Sequence, residues 1–234
     1  MRFLCLHGLG TNTDVLKAQT ASLRYRLGDD EHEYDFVDGS LPWPPAPGIQ
    51  EVFGKHVDCY SYFDGEGRSA SSILDAVTDL ADYVTSNGPY DGVIGFSQGA
   101  VLAATLIIAV ESNLTIRTAD TAVGPLGRSP PFQCAIFLCG GLPFDVSALQ
   151  EGTVVQLTPQ PDKKALMHLP VVNCWAHNDM DYPGMGPPLS QLCSAADNLE
   201  VVHSAGHGVP SEGPDLERLL VAVTAILNRV SKGE

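Results

Sequence analysis

Basic residues are scarce: 13 Lys and Arg stand against 28 Asp and Glu, a formal net charge of -15. The chain therefore lacks the extended positive surface that nucleic-acid phosphates or anionic lipid headgroups need, and both are excluded as partners. Long apolar runs are lacking too. The longest, residues 100–110, falls well short of the ~20 residues that cross a bilayer. Met1 leads almost directly into Phe3-Leu4-Cys5-Leu6, so no leader is expected before the first strand, and a cytoplasmic location follows as the expectation. The six cysteines (Cys5, Cys59, Cys134, Cys139, Cys174 and Cys193) form no C-x-x-C pair and no metal-ligand spacing. Reduced, mostly buried thiols are expected, with no disulfide framework and no metal site. Internal repeats, heptads and long single-charge runs are absent as well.

What is present suits one sizeable core. The chain has 234 residues, 44% of them hydrophobic, which reads as a single α/β domain over 1–234. Short, mostly apolar runs at 2–6, 34–38, 92–96, 134–138, 171–176 and 199–203 are bounded by Gly, Pro, Asn or Asp and read as strands. Between them lie helical patterns at 14–27, 69–86, 98–110 and 214–230. The clearest is 69–86, where Ile73, Val77, Leu80 and Val84 recur at helical spacing behind a Ser69 or Ser71 cap. Strands that are apolar throughout and alternate with helices imply a mainly parallel sheet of about six strands, covered on both faces. Such sheets bind ligands at the carboxyl ends of their strands.

Three connections exceed simple crossovers: 39–68, 111–131 and 140–170. Long ordered loops of this kind are often lids or binding walls. Residues 115–131, rich in Gly, Pro, Ser and Thr, read instead as a surface insertion.

Gly95-Phe96-Ser97-Gln98-Gly99 sets a serine between two glycines, directly after an apolar strand and before an apolar helix. This is the strand–turn–helix context in which G-x-S-x-G presents a nucleophile. A serine on so tight a turn needs a strained backbone, and the glycines let strand and helix approach closely. The helix start offers free backbone N–H groups to an oxyanion, the Gln98 N–H first among them.

A serine hydroxyl needs a base, and the base needs an acid to hold its tautomer, in the chain order Ser, Asp or Glu, His. His207 lies in the loop Ala205-Gly206-His207-Gly208-Val209-Pro210, between the last strand and the last helix, and is the expected base. His203, at the end of that strand, is the alternative, although its V-V-H-S setting fits a structural histidine. Asp179 follows the fifth strand and is the expected acid, with Asp181 as its rival. A zinc reading of His177, Asp179, Asp181, His203 and His207 lacks any H-E-x-x-H-like fixation on one element. Leu6-His7-Gly8-Leu9-Gly10-Thr11-Asn12 follows the first strand like the H-G loop that supplies a second oxyanion donor. The Leu9 N–H is that donor, with His7 placing the loop.

L-H-G-L-G-T-N at 6–12, G-F-S-Q-G at 95–99, N-D at 178–179 and A-G-H-G-V-P at 205–210 resemble the FSH family of serine hydrolases, a group that takes in the ovarian-cancer-associated hydrolase type and many fungal thioesterases. Y-F-D-G-E at 62–66 is also similar to that group, and the matches span nearly the whole chain. The chain departs where the family often has a glycine before the acid, here Ala176, and G-G-H, here Ala205-Gly206-His207. The resemblance implies an α/β-hydrolase fold and no cofactor. It further implies an acyl thioester substrate, with a polyketide or fatty acyl chain released from an acyl carrier protein by hydrolysis or lactonisation. A general carboxylesterase for small or medium acyl esters is the alternative. A hydrolase-like binding protein would be expected to have lost a triad member.

Apolar residues on the long loops are candidates for an acyl pocket: Trp43, Tyr60, Tyr62, Phe63, Leu142, Phe144, Met180, Tyr182 and Met185. Half of them are expected only to pack the loops. Docking of an acidic carrier on this acidic chain would require a local basic spot, for which Arg24 with Arg26, or Lys163 with Lys164, are the candidates.

Overall fold

A computed structural model describes residues 1–28, 30–116, 131–161 and 163–232. The elements run β1 (Arg2–Leu6), α1 (Thr13–Gln19), α2 (Ala21–Leu27), β2 (Glu33–Val37), β3 (Leu41–Pro42), α3 (Ile49–Phe53), β4 (Tyr60–Ser61) and α4 (Ala70–Asn87). They continue with β5 (Gly92–Phe96), α5 (Gln98–Glu111), β6 (Cys134–Leu138), α6 (Val146–Gln150), β7 (Val171–Ala176), α7 (Gly186–Gln191), β8 (Asn198–His203) and α8 (Gly213–Lys232). Six strands form one sheet in the order β2-β1-β5-β6-β7-β8, with every pairing parallel. The mainly parallel, helix-flanked sheet expected from the alternating pattern is the one observed.

The layers follow from side-chain alternation along buried strands. In β1, Leu4 and Leu6 face a core built with α4 and α5, while Phe3 and Cys5 face a second core built with α1, α2 and α8. Helix α5 is buried on nearly every side, which explains its apolar sequence without a membrane. No described helix is long and apolar enough to cross a bilayer. Helix α4 begins at Ser69, whose Oγ accepts from the Ser72 N–H at 3.2 Å, and buries Ile73, Val77, Leu80 and Val84. The cap and stripe read from the sequence are both in place.

The single helix expected over 14–27 is two, α1 and α2. Thr20 is buried, and its Oγ1 donates to the Leu16 carbonyl at 2.7 Å, ending α1 where the apolar pattern runs on. The connection 39–68 holds α3 and a small antiparallel pair, β3 with β4, that folds back over the carboxyl end of β1. The connection 140–170 holds α6. The surface insertion expected at 115–131 lies mostly outside the described residues.

Candidate active site

Ser97 stands between β5 and α5 with φ 51° and ψ -114°, a positive φ that a side chain adopts only when the surroundings impose it. The imposition comes from its neighbours. A Cβ on Gly99 would lie 2.3 Å from the Leu6 carbonyl oxygen, and one on Gly95 would lie 2.6 Å from the backbone of Ala100. Strand and helix therefore meet only because both positions are glycine. The Ser97 N–H is held by the Leu138 carbonyl at 2.9 Å.

Two loops, those after β7 and β8, build a chain of hydrogen bonds to this serine. His207 Nε2 lies 2.9 Å from Ser97 Oγ, and His207 Nδ1 lies 2.7 Å from Asp179 Oδ2. The histidine and aspartate side chains are 12% and 10% exposed, so their pairing is shielded from water without being sealed. The His207 ring packs between Phe96 and Tyr182, with centroids 5.3 and 4.6 Å away. Asn178 ties the acid loop to the base loop, donating to Ser204 O at 2.9 Å and accepting from the Gly206 N–H at 3.2 Å.

Asp179, not Asp181, faces His207. Its second oxygen, Oδ1, accepts from the N–H groups of Asp181 (3.0 Å) and Tyr182 (2.9 Å), so Asp181 contributes backbone only. Burial pushes the Asp179 carboxyl up, but the His207 hydrogen bond and these two N–H groups outweigh it and hold the acid below its ordinary range. His203 points elsewhere: its Nδ1 accepts from the Ala205 N–H at 3.2 Å, and its Nε2 faces Cys139 Sγ at 3.7 Å.

Leu9 and Gln98 line the same cleft as Ser97. Gln98 opens α5, where no preceding helical turn takes its N–H. No turn or loop bond among the described residues uses the Leu9 N–H. The Leu9 loop is held by His7, buried, with Nδ1 2.7 Å from Gly8 O and Nε2 accepting from the Gly39 N–H at 2.9 Å. That pairing assigns the ring proton to Nδ1, and burial keeps the ring neutral. The Gln98 side chain bonds the Tyr62 N–H and the Ser61 hydroxyl, fixing the 39–68 connection against the serine turn.

The cleft encloses a cavity of about 140 Å³, walled by Phe63, Phe144, Val101, Met185, Tyr182 and Leu9. Phe63 and Phe144 meet edge to face at 5.7 Å. Of the loop residues expected to wall an acyl pocket, the fold brings Phe63, Phe144, Tyr182 and Met185 to the cleft and leaves five away from it. Trp43 packs flat against Gly65, where a Cβ would meet its ring at 2.2 Å. Tyr60 pairs with Pro42 in the small sheet, and Leu142 packs on the core. Tyr62 spends its hydroxyl inside the fold, accepting from the His7 N–H and donating to Val37 O. Met180 is 86% exposed. Val101, Cys139, Gly141 and Gln156 line the cleft without having been singled out; α5 reads as pure core, and no local signal marks the others.

Residues weighed for zinc do not assemble as a set. Among the described residues, the group of His, Cys, Asp and Glu whose ligand atoms converge is Cys139, Asp179 and His207. All six cysteines are free and buried.

A serine turn followed by an acid loop and a histidine loop, at the carboxyl edge of a doubly covered parallel sheet, defines a serine hydrolase of the α/β-hydrolase fold. The chain belongs to the serine hydrolase (FSH1) family, whose model matches residues 1–219. It is 38% identical to an esterase, FPY3, of Fusarium mangiferae over 90% of this chain and 88% of that protein. It is 28% identical to the hydrolase phiM of a fungal species, over 100% of this chain and 98% of that protein. Among solved structures it is similar in fold to acyl-protein thioesterase 2 of Zea mays, with TM-score 0.61, 18% identity, and 97% and 93% of the two chains covered.

Proposed function

We propose that Ser97 is the nucleophile, His207 the general base and Asp179 its orienting acid, in hydrolysis of an acyl ester or thioester through a covalent acyl-enzyme. The row of hydrogen bonds Ser97–His207–Asp179, at 2.9 and 2.7 Å, carries the reading. His207 Nε2 takes the Ser97 proton as Oγ attacks the acyl carbonyl. The N–H groups of Leu9 and Gln98 receive the oxyanion, and Asp179 stabilises the imidazolium. His207 then gives that proton to the departing alkoxide or thiolate and, neutral again, activates water against the acyl-enzyme. Every proton in this cycle passes through His207, so no cofactor is required.

The cavity, open to solvent on one side, bounds the part of the acyl group held inside it. An engineered apolar cavity of about 150 Å³ accepts benzene, so about 140 Å³ beside Ser97 suits an acyl group of up to roughly six carbons. Esters and thioesters of short to medium acyl chains are the substrates we infer.

Release of an acyl chain from a carrier protein is the more specific form of this reading. Its support is a groove of about 240 Å³ lined by Lys163 and Lys164, which shares Gln156 with the catalytic cleft. Arg26 offers no such spot: it grips Glu217 with two bonds, on a helix that returns towards the start of β2.

A fluorophosphonate probe tests the nucleophile, because covalent labelling requires an activated serine. Labelling is expected in the wild type and lost in Ser97→Ala; equal labelling of both overturns the assignment. A panel of p-nitrophenyl esters and acyl thioesters then tests the substrate. Fast ester turnover with negligible thioester cleavage would reject carrier release, with or without lactonisation.

A further inference from the structure

Cys139 is the first residue beyond β6, at φ 50°, a positive φ that it shares with Ser97 one strand away. Its thiol belongs to the active-site loop as much as to the core. Sγ lies 3.3 Å from the Gly208 carbonyl and 3.7 Å from His203 Nε2, and the residue lines the cleft with Ser97 and His207. Cys139 Sγ, an Asp179 carboxylate oxygen and a His207 ring nitrogen all lie within 4.8 Å of one another. The hydrolytic cycle uses the last two and has no task for the sulfur.

We propose that Cys139, Asp179 and His207 form a binding site for a thiophilic divalent cation, Zn²⁺ in particular, and that filling it switches the hydrolase off. Sulfur, imidazole nitrogen and carboxylate oxygen from three loops are the donor set zinc prefers, and three protein ligands leave a fourth position open to water from the cleft. Zinc bonds to such donors run about 2.0 to 2.3 Å. The three ligand atoms therefore close around the ion with side-chain shifts on the order of 1 Å. The charge also balances. One carboxylate in a shielded site carries -1, whereas Zn²⁺ with one thiolate and one carboxylate is neutral.

Binding stops catalysis through the tautomer of His207. The cation displaces the thiol proton to solvent as the Zn–S bond forms. The proton on His207 Nδ1, which Asp179 otherwise holds, moves through solvent to Nε2 as the Nδ1 lone pair binds the ion. Nε2 then carries a proton and cannot accept another from Ser97 Oγ. One proton is released in total, and nothing is oxidised or reduced. A redox role for the thiol is disfavoured: burial, with the Asp179 charge second, pushes it up to about 12, far from the thiolate that peroxide attacks.

The inhibition rests on the reading of His207 as base, whereas binding of the cation does not. Esterase activity is therefore measured against Zn²⁺ concentration, with reversal by a chelator, and each variant is referred to its own metal-free rate. Wild type is expected to lose activity as the site fills, and Cys139→Ala or the near-isosteric Cys139→Ser to need at least tenfold more Zn²⁺ for the same loss. In parallel, Co²⁺ is added to the inactive Ser97→Ala protein, where a sulfur-to-cobalt charge-transfer band is expected and should vanish in the Ser97→Ala, Cys139→Ala double variant. Equal Zn²⁺ sensitivity of wild type and both Cys139 variants overturns the proposal, as does Co²⁺ binding without the band. Probe labelling that survives Ser97→Ala would refute the nucleophile and leave the cobalt result standing on its own.

Discussion

Asp179 occupies both of its oxygens in holding other groups: Oδ2 faces His207, and Oδ1 caps the turn through the Asp181 and Tyr182 N–H groups. Asparagine in its place keeps the shape and loses the charge that stabilises the imidazolium in the proposed cycle. Asp179→Asn is expected to lower kcat by about 10⁴-fold with little change in KM. Asp181→Asn, whose carboxylate faces solvent, is expected to stay within about threefold, since it removes no transition-state contact. Steady-state kinetics on one p-nitrophenyl ester separates the two. The cleft wall is the other residue-scale determinant. Met185→Ala should extend the longest acyl ester turned over by a few carbons, and Val101→Phe should shorten it, both visible as shifts in kcat/KM along a homologous ester series. An unchanged series in both variants would remove these side chains from the acyl site.

At the scale of elements, the junction of β5 with α5 depends on contact distances that only hydrogen atoms permit. Gly99→Ala would drive a methyl group into the carbonyls of Leu6, the last residue of β1, and of His7 just after it. The expected outcome is a marked fall in Tm together with lost probe labelling, because the same displacement moves Ser97 and Leu9 apart. Helix α5 is also buried along most of its length. Leu106 is wholly buried, and Leu106→Ala is expected to cost about 2 to 5 kcal/mol in urea unfolding. The strands, the α4 cap and the serine turn are legible in the sequence because each depends on neighbours close along the chain. The break between α1 and α2 is not, because it depends on burial of Thr20 inside the fold, and a hydroxyl that caps its own helix looks the same from the pattern outside.

Across the whole molecule, two histidines lie neutral inside the fold, His7 and His203, 0% and 1% exposed. Burial is the main reason that both rings are held below their ordinary range. The unfolded chain titrates them near ~6.5, so as the pH falls through that value the unfolded state takes up protons that the folded state refuses. Stability from this source is present above about pH 6.5 and is lost as the pH falls towards the folded-state values, by at most about 1.4 kcal/mol per pH unit for each ring. Urea midpoints should therefore rise between pH 5 and pH 7.5, and His203→Gln should flatten that rise. A rise as steep in the variant as in the wild type would assign the acid sensitivity to other groups.

The sequence by itself determined the parallel sheet and the places of the serine turn and the H-G loop, because periodicity and turn chemistry act over a few residues. It favoured Asp179 over Asp181 and His207 over His203 without settling either pair, since a separation of two or four residues decides between facing a cleft and facing away from it. Only the tertiary structure separated those pairs, by turning Asp179 towards His207 and His207 towards Ser97. The same convergence moved Trp43, Tyr60, Tyr62, Leu142 and Met180 away from the cleft and brought Val101 and Cys139 into it. Residues more than a hundred positions apart share the site only because parallel strands bring their carboxyl ends to one edge of the sheet.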